Sequence, residues 1–136
     1  MAPMIFASCI EKGMPIRVFN HGDMIRDFTF IDDIVKGTIG CIDNEPAPIE
    51  EGLKYRVYNI GCSNPVCIMD FISEIESAMG KNARIEFVPM QSGDVYQTFA
   101  DTSRLEDEIG FKPHVSLHEG VYSFIDWYMS SRNPLR

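Results

Sequence analysis

Apolar residues fall at helical spacing in several stretches of the chain and bunch into short β-prone runs between them. From Ile68 to Met79, the side chains of Ile68, Phe71, Ile72, Ile75, Ala78 and Met79 share one face, while Asp70, Glu74 and Glu76 point away. With Gly80 closing the run, this predicts an amphipathic helix. Ile5, Phe6, Cys9 and Ile10 predict a helix over Ala2 to Lys12, stopped by Gly13 and Pro15. Ile31, Ile34, Val35, Thr38, Ile39 and Ile42 predict another, beginning near Asp32 and ended by Asn44, Pro46 and Pro48. Leu117, Val121, Phe124, Ile125 and Tyr128 mark the last helix. It is introduced by Ser116 and Glu119, a capping-box pair in which each side chain satisfies a backbone N–H of the other residue. Asp101 is placed to cap a short helix ending at Gly110.

The β-prone runs are Ile16 to Phe19, Phe28 to Phe30 and Arg84 to Val88, with Asn20, His21 and Gly22 supplying turn chemistry between the first two. Tyr55 to Ile60, YRVYNI, reads as a strand buried on both faces, with Gly61 and Pro65 behind it. Residues 44 to 54 read as a loop, and MQSGDVYQT at Met90 to Thr98 as a functional loop. No repeat, low-complexity tract or flexible linker interrupts the chain, so residues 1–136 are expected to form one α/β (mixed α+β) domain.

Composition narrows the possibilities. A hydrophobic fraction of 45% suffices for a core and makes disorder a poor reading. The net charge of -8 argues against general attraction to nucleic acid or to an anionic membrane, so any anionic ligand must be held by local groups. Cys9, Cys41, Cys62 and Cys67 lack zinc-site spacing and follow no secretory signal, which predicts four reduced thiols in a cytoplasmic protein. No apolar run approaches the roughly 20 residues needed to span a bilayer. His21, His114 and His118 have no partners at metal or triad spacing, so no metal site is expected. Gly37 and Gly40 lie inside a helical pattern rather than after a strand, so close helix packing explains them better than a dinucleotide fingerprint.

Three blocks carry a family likeness: IRVFNHGDMIRDFTFIDDIV at Ile16 to Val35, YNIGCSNPV at Tyr58 to Val66, and PMQSGDVYQTFADTS at Pro89 to Ser103. In order and spacing they resemble the nucleotide-sugar-binding portion of the extended short-chain dehydrogenase/reductase family, the NAD-dependent epimerases and dehydratases, and within it the UDP-glucuronate 4-epimerases. The opening MAPMIFASCI resembles the helix after the sixth Rossmann strand of that family. The resemblance implies a substrate-binding C-terminal part of such an enzyme, with the Rossmann half missing.

It also implies site residues. Arg26, in a turn-to-strand segment, matches an arginine that grips the UDP pyrophosphate, where a planar guanidinium donates paired hydrogen bonds. Read alone, it is a surface arginine paired with Asp23 or Asp27. Arg17 and Phe19 match positions beside the uracil, although an aromatic in a short strand is equally a core residue. Asp94 matches a ribose-binding carboxylate, or reads as a turn aspartate bonding its own backbone after Ser92 and Gly93. Gln91 stands where galactose epimerases carry a second phosphate-binding arginine; an amide donates a hydrogen bond but no charge, and glutamine is usual in the glucuronate-type relatives. Thr98 matches a position near the hexose, or sits on a plain strand edge.

Epimerases of this kind use bound NAD to oxidise the sugar at C4, and need a YxxxK pair to take the hydroxyl proton. None of Tyr55, Tyr58, Tyr96, Tyr122 and Tyr128 has lysine four residues later, and no glycine-rich loop follows an N-terminal strand. The expectation is a UDP-sugar-binding part of a 4-epimerase, with NAD in the parent enzyme, none bound to this chain, and no catalytic residue here. The alternatives are a non-catalytic nucleotide-sugar-binding module and an interaction domain. Self-association is expected through Tyr55 to Ile60 and Asp32 to Asp43, elements that pack on the dinucleotide-binding sheet in the family.

Overall fold

The computed structural model describes residues 2–49 and 52–134. Helix α1 spans Ala2–Lys12, strand β1 Pro15–Val18, β2 Ile25–Arg26, α2 Ile31–Asp43, β3 Val66–Cys67, α3 Ile68–Met79, β4 Arg84–Phe87, α4 Ser103–Ile109 and α5 Leu117–Met129. The chain divides into two compact units. The first gathers Met1–Arg26, Val66–Thr98 and Ser116–Arg136; the second gathers Asp27–Pro65 and Phe99–Val115.

In the first unit β1 and β4 pair in parallel, Ile16 opposite Ile85 and Val18 opposite Phe87. Ile16 and Val18 are buried, as are Phe71, Ile72 and Ile75 of α3 and Val121, Ile125 and Tyr128 of α5. The helical periods therefore point at a common core, and α3 occupies the predicted residues with Gly80 in left-handed conformation at its end (φ 60°). The capping box is formed: Glu119 N–H donates to Ser116 Oγ (3.2 Å) and Ser116 N–H to Glu119 Oε2 (3.0 Å). Ser116→Ala is expected to cost about 1 kcal/mol, read as a lower urea midpoint at unchanged m-value.

The first strand ends one residue earlier than the β-prone run predicts, because Phe19 enters a 3-10 turn with Asn20, His21 and Gly22. All three of the latter have positive φ. Gly22 has no room for a side chain: a Cβ there would lie 3.0 Å from the Met69 sulfur and 3.2 Å from the Phe87 ring. Strand β2 pairs antiparallel with β3, Ile25 opposite Cys67 and Arg26 opposite Val66.

The expected strand at Phe28 to Phe30 does not form. The ladder stops at Arg26, and the next residue bonds through its side chain instead: Asp27 Oδ2 accepts from Ser63 N–H and Ala100 N–H, each at 3.1 Å. Tyr55 to Ile60 is likewise not a strand, and is not buried; Tyr55 and Val57 are each 58% exposed. Among the described residues its backbone has no strand to pair with, and the Val57 carbonyl accepts from the Arg104 side chain (3.4 Å) instead. Of the loop expected at residues 44–54, residues 50 and 51 lie outside the described part of the chain.

Within the second unit, the glycines of α2 are a packing surface. A Cβ on Gly37 would lie 3.1 Å from Ile60 and 3.2 Å from Phe111, and one on Gly40 2.9 Å from Ile109. Leu105 of α4 is fully buried, as is Asp33 in the first turn of α2. Its Oδ2 accepts from His114 N–H (2.9 Å) and Val115 N–H (2.8 Å). Helix α4 starts one residue after Thr102, and Asp101 Oδ1 serves the expected capping role by accepting from Ser103 N–H (3.1 Å). Gly110 ends it at φ 72°.

Candidate functional site

The sequence-predicted site residues all belong to the first unit. Arg26 is the last residue of β2, and the loop 94–98 runs beside that strand: Ile25 N–H donates to Tyr96 O (3.0 Å), Thr98 N–H to Ile25 O (3.2 Å), and Ile25 forms a parallel bridge with Gln97. This pairing delivers Arg26 to the loop. Its Nη1 donates to Ile25 O (2.8 Å) and Tyr96 O (3.0 Å), and its Nη2 to Asp94 Oδ1 (3.0 Å) and Val95 O (2.7 Å). Four acceptors in fork geometry fix the guanidinium plane, and the side chain keeps only 19% of its surface in solvent.

The structure thus brings Arg26 and Asp94 together across 68 residues of sequence. Neither Asp23 nor Asp27, the partners that local spacing offers, is the one chosen. Asp94 also performs the turn role open to it: its N–H donates to Gln91 O (3.1 Å), its Oδ1 accepts from Val95 N–H (2.9 Å), and Gly93 before it has φ 83°. Since Arg26 Nη1 and Nη2 are occupied, an anion reaching them must displace an acceptor, and the partly exposed carboxylate of Asp94, on a side chain that can rotate, is easier to displace than a backbone carbonyl.

Arg17 and Phe19 form a second pair, with the guanidinium carbon 5.6 Å from the ring centroid, a cation–π distance worth about 0.5–1 kcal/mol at an exposed site. Phe19 is half-buried and Arg17 exposed. Gln91 is exposed at the loop tip, and Thr98 is half-buried beside Ile25.

Sequence reasoning missed Asp23 and Tyr96. The Tyr96 hydroxyl donates to Asp23 Oδ1 (3.0 Å), which clasps the loop from a second direction, and no spacing rule pairs residues 73 apart. The bond to Asp23 raises the Tyr96 pKa above its ordinary value, and the bond to Glu108 does the same for Tyr58. Both phenols are held protonated, the reverse of what a proton-abstracting tyrosine needs. Tyr128 donates to Glu11 Oε2 (2.8 Å). Burial, then the nearby Asp27 charge, raises the Cys62 thiol, which disfavours its thiolate form. His118 Nδ1 lies 2.9 Å from Glu74 Oε2 and His114 Nδ1 3.4 Å from Asp33 Oδ1. Among the described residues no group of three His, Cys, Asp or Glu side chains is placed to hold a metal ion, all four cysteines are free, and no helix is long and apolar enough to cross a membrane.

Residues 2–61 match the family described as the NAD dependent epimerase/dehydratase family. The CapI protein of Staphylococcus aureus is 38% identical over 95% of this chain and 42% of its own length. A probable UDP-glucuronate 4-epimerase of Rhizobium meliloti is 39% identical over 94% of this chain and 41% of its own. The crystal structure of UDP-glucuronic acid 4-epimerase from Bacillus cereus in complex with UDP-glucuronic acid and NAD superposes with a TM-score of 0.80 at 30% identity, covering 94% of this chain and 40% of that one. The chain therefore spans about two-fifths of the length of these relatives.

Proposed function

We propose, for a chain that belongs to the NAD-dependent epimerase/dehydratase family, that it is the UDP-sugar-binding part of a nucleotide-sugar 4-epimerase whose substrate is UDP-glucuronate and whose product is UDP-galacturonate. The observation that carries the reading is the meeting of Arg26 and Asp94 on one strand and one loop, a cation for the diphosphate beside a carboxylate for ribose hydroxyls. Arg17 and Phe19 offer a planar, half-exposed surface to the uracil, Gln91 an uncharged donor next to the second phosphate, and Thr98 a hydroxyl toward the hexose. With a single arginine at the diphosphate, affinity is modest.

The residues present do not fit NAD. Gly37 and Gly40, the nearest approach to a glycine fingerprint, are packed against Ile60, Phe111 and Ile109 inside a helix. No tyrosine has a lysine four residues on, and the phenols of Tyr58 and Tyr96 are tuned away from proton abstraction. The chain by itself does not catalyse.

Titration calorimetry with UDP tests the binding role: Arg26→Ala is expected to weaken UDP at least tenfold while leaving uridine, which lacks the diphosphate, unchanged. An unaltered UDP affinity in Arg26→Ala removes the phosphate role. Incubation with NAD and UDP-glucuronate is expected to give no UDP-galacturonate, and product above a control free of host epimerase overturns the non-catalytic reading.

A further inference from the structure

The chain holds an anion of its own on the arginine that a ligand's diphosphate has to reach. Each Nη of Arg26 carries two N–H groups, and all four have acceptors: Ile25 O, Tyr96 O, Val95 O and Asp94 Oδ1. Two of these are tied into the pairing between β2 and the loop, since Ile25 O also accepts from Thr98 N–H and Tyr96 O from Ile25 N–H. Asp94 is the charged one of the four, on a side chain 36% exposed. Its backbone stays where the turn puts it: Asp94 N–H donates to Gln91 O (3.1 Å), and the bond from the Tyr96 hydroxyl to Asp23 Oδ1 (3.0 Å) ties down the loop two residues on. The carboxylate therefore leaves Arg26 by side-chain rotation, which keeps it next to whatever takes its place.

We propose that Asp94 is the selectivity filter of this site: its carboxylate closes Arg26 to bare phosphates and yields it to a diphosphate carried on a ribose. The inference rests on the reading of the site as one for a UDP-sugar. A free pyrophosphate that displaces Asp94 gains Arg26 but leaves a carboxylate beside its own charge, and like charges held close at a partly desolvated site repel. The net charge of -8 adds to that cost. A nucleoside diphosphate brings neutral hydroxyl donors from which the rotated carboxylate can accept. The movement that leaves pyrophosphate facing an unpaired anion thus gives UDP a charge-assisted hydrogen bond. Selectivity built this way comes from penalising the wrong ligand as much as from holding the right one.

Nuclear magnetic resonance titrations of the whole isotope-labelled chain with sodium pyrophosphate and with UDP, followed at the Val95 and Tyr96 amides, test this. In the parent, UDP is expected to bind at least about tenfold more tightly than pyrophosphate. Asp94→Asn keeps an Oδ1 for the turn bond to Val95 N–H and removes the charge. It is expected to tighten pyrophosphate about fivefold, the size of one partly exposed ion pair, and to weaken UDP. Arg26→Ala in the Asp94→Asn background is expected to cancel the pyrophosphate gain. Asp126→Asn removes the same charge from an exposed residue of α5 and is expected to change neither affinity. Should Asp94→Asn disturb the amide spectrum beyond the loop, Asp94→Ser, which also keeps a side-chain oxygen for Val95, supplies the reading. A pyrophosphate affinity that is the same in Asp94→Asn and the parent, or undetectable in both, overturns the proposal. A gain that Asp126→Asn reproduces does so too, as does a UDP affinity that rises in step with pyrophosphate. The filter and the UDP site fail separately: UDP weakened by Arg26→Ala with pyrophosphate unchanged in Asp94→Asn removes only the filter, whereas UDP indifferent to Arg26→Ala removes the site itself.

Discussion

Gly61→Ala is expected to destabilise the second unit by about 4 kcal/mol, the sum of an overpacking cost of order 1–3 kcal/mol and the loss of charge-assisted hydrogen bonds. A Cβ at position 61 would overlap the Ala100 methyl and approach Asp27 Oδ2 to 3.2 Å. That same oxygen accepts from Ser63 N–H and Ala100 N–H, so the shift needed to make room breaks the bonds that join the two segments. Ser63 adds a third tie, its hydroxyl donating to Ala100 O (2.6 Å). Gly61 needs no positive φ, so the effect is steric and not conformational. Urea unfolding followed by hydrogen exchange at Ser63 and Ala100 amides checks it; a loss below about 1 kcal/mol would mean that the chain yields at this point.

Asp33→Ala is expected to cost about 3 kcal/mol, because it removes two charge-assisted hydrogen bonds and leaves their donors in a buried place. Asp33 is fully buried, and its Oδ2 holds the His114 and Val115 N–H groups to the first turn of α2. The position in the first turn also lets the carboxylate face the positive end of the helix dipole, which offsets part of the cost of burying it. Asp32, its neighbour in sequence, is exposed, so Asp32→Ala serves as the control and is expected to change stability by less than about 0.5 kcal/mol. Equal losses in the two variants would show that the dipole, and not the pair of buried hydrogen bonds, is what Asp33 contributes.

Both predictions concern residues inside the blocks IRVFNHGDMIRDFTFIDDIV and YNIGCSNPV, and their explanation is structural. Asp27, Asp33 and Gly61 join loops to one another, whereas the ligand-facing proposal rests on Arg17, Phe19, Arg26, Gln91, Asp94 and Thr98. A family block in a sequence mixes the two kinds of residue, and only the geometry separates them.

The helices were legible because their signals are local. The apolar period over Ile68 to Met79, the left-handed glycines at 80 and 110, and the Ser116–Glu119 box each act within a turn or two of the chain, and each appears in the structure where the sequence predicts it. The strands were not legible in the same way, since a β-prone run becomes a strand only if another segment supplies hydrogen bonds. Arg84 to Phe87 found β1, but Phe28 to Phe30 lost its ladder to the Asp27 carboxylate and Tyr55 to Ile60 found no partner among the described residues. The candidate site divides along the same line. Its arginine and aspartate could be picked out by motif, yet the choice of Asp94 over Asp23 and Asp27 as the partner of Arg26, and the clasp of Tyr96 on Asp23, depend on a loop laid beside β2 from about seventy residues away. The isoleucines of α2 show the limit most plainly: the period alone determines that they share a face, while whether that face is core or surface depends on what else packs there, and the chain places its glycines inward instead. Periodicity and capping are properties of neighbouring residues; pairing, burial and the company of a charged side chain are properties of the folded whole.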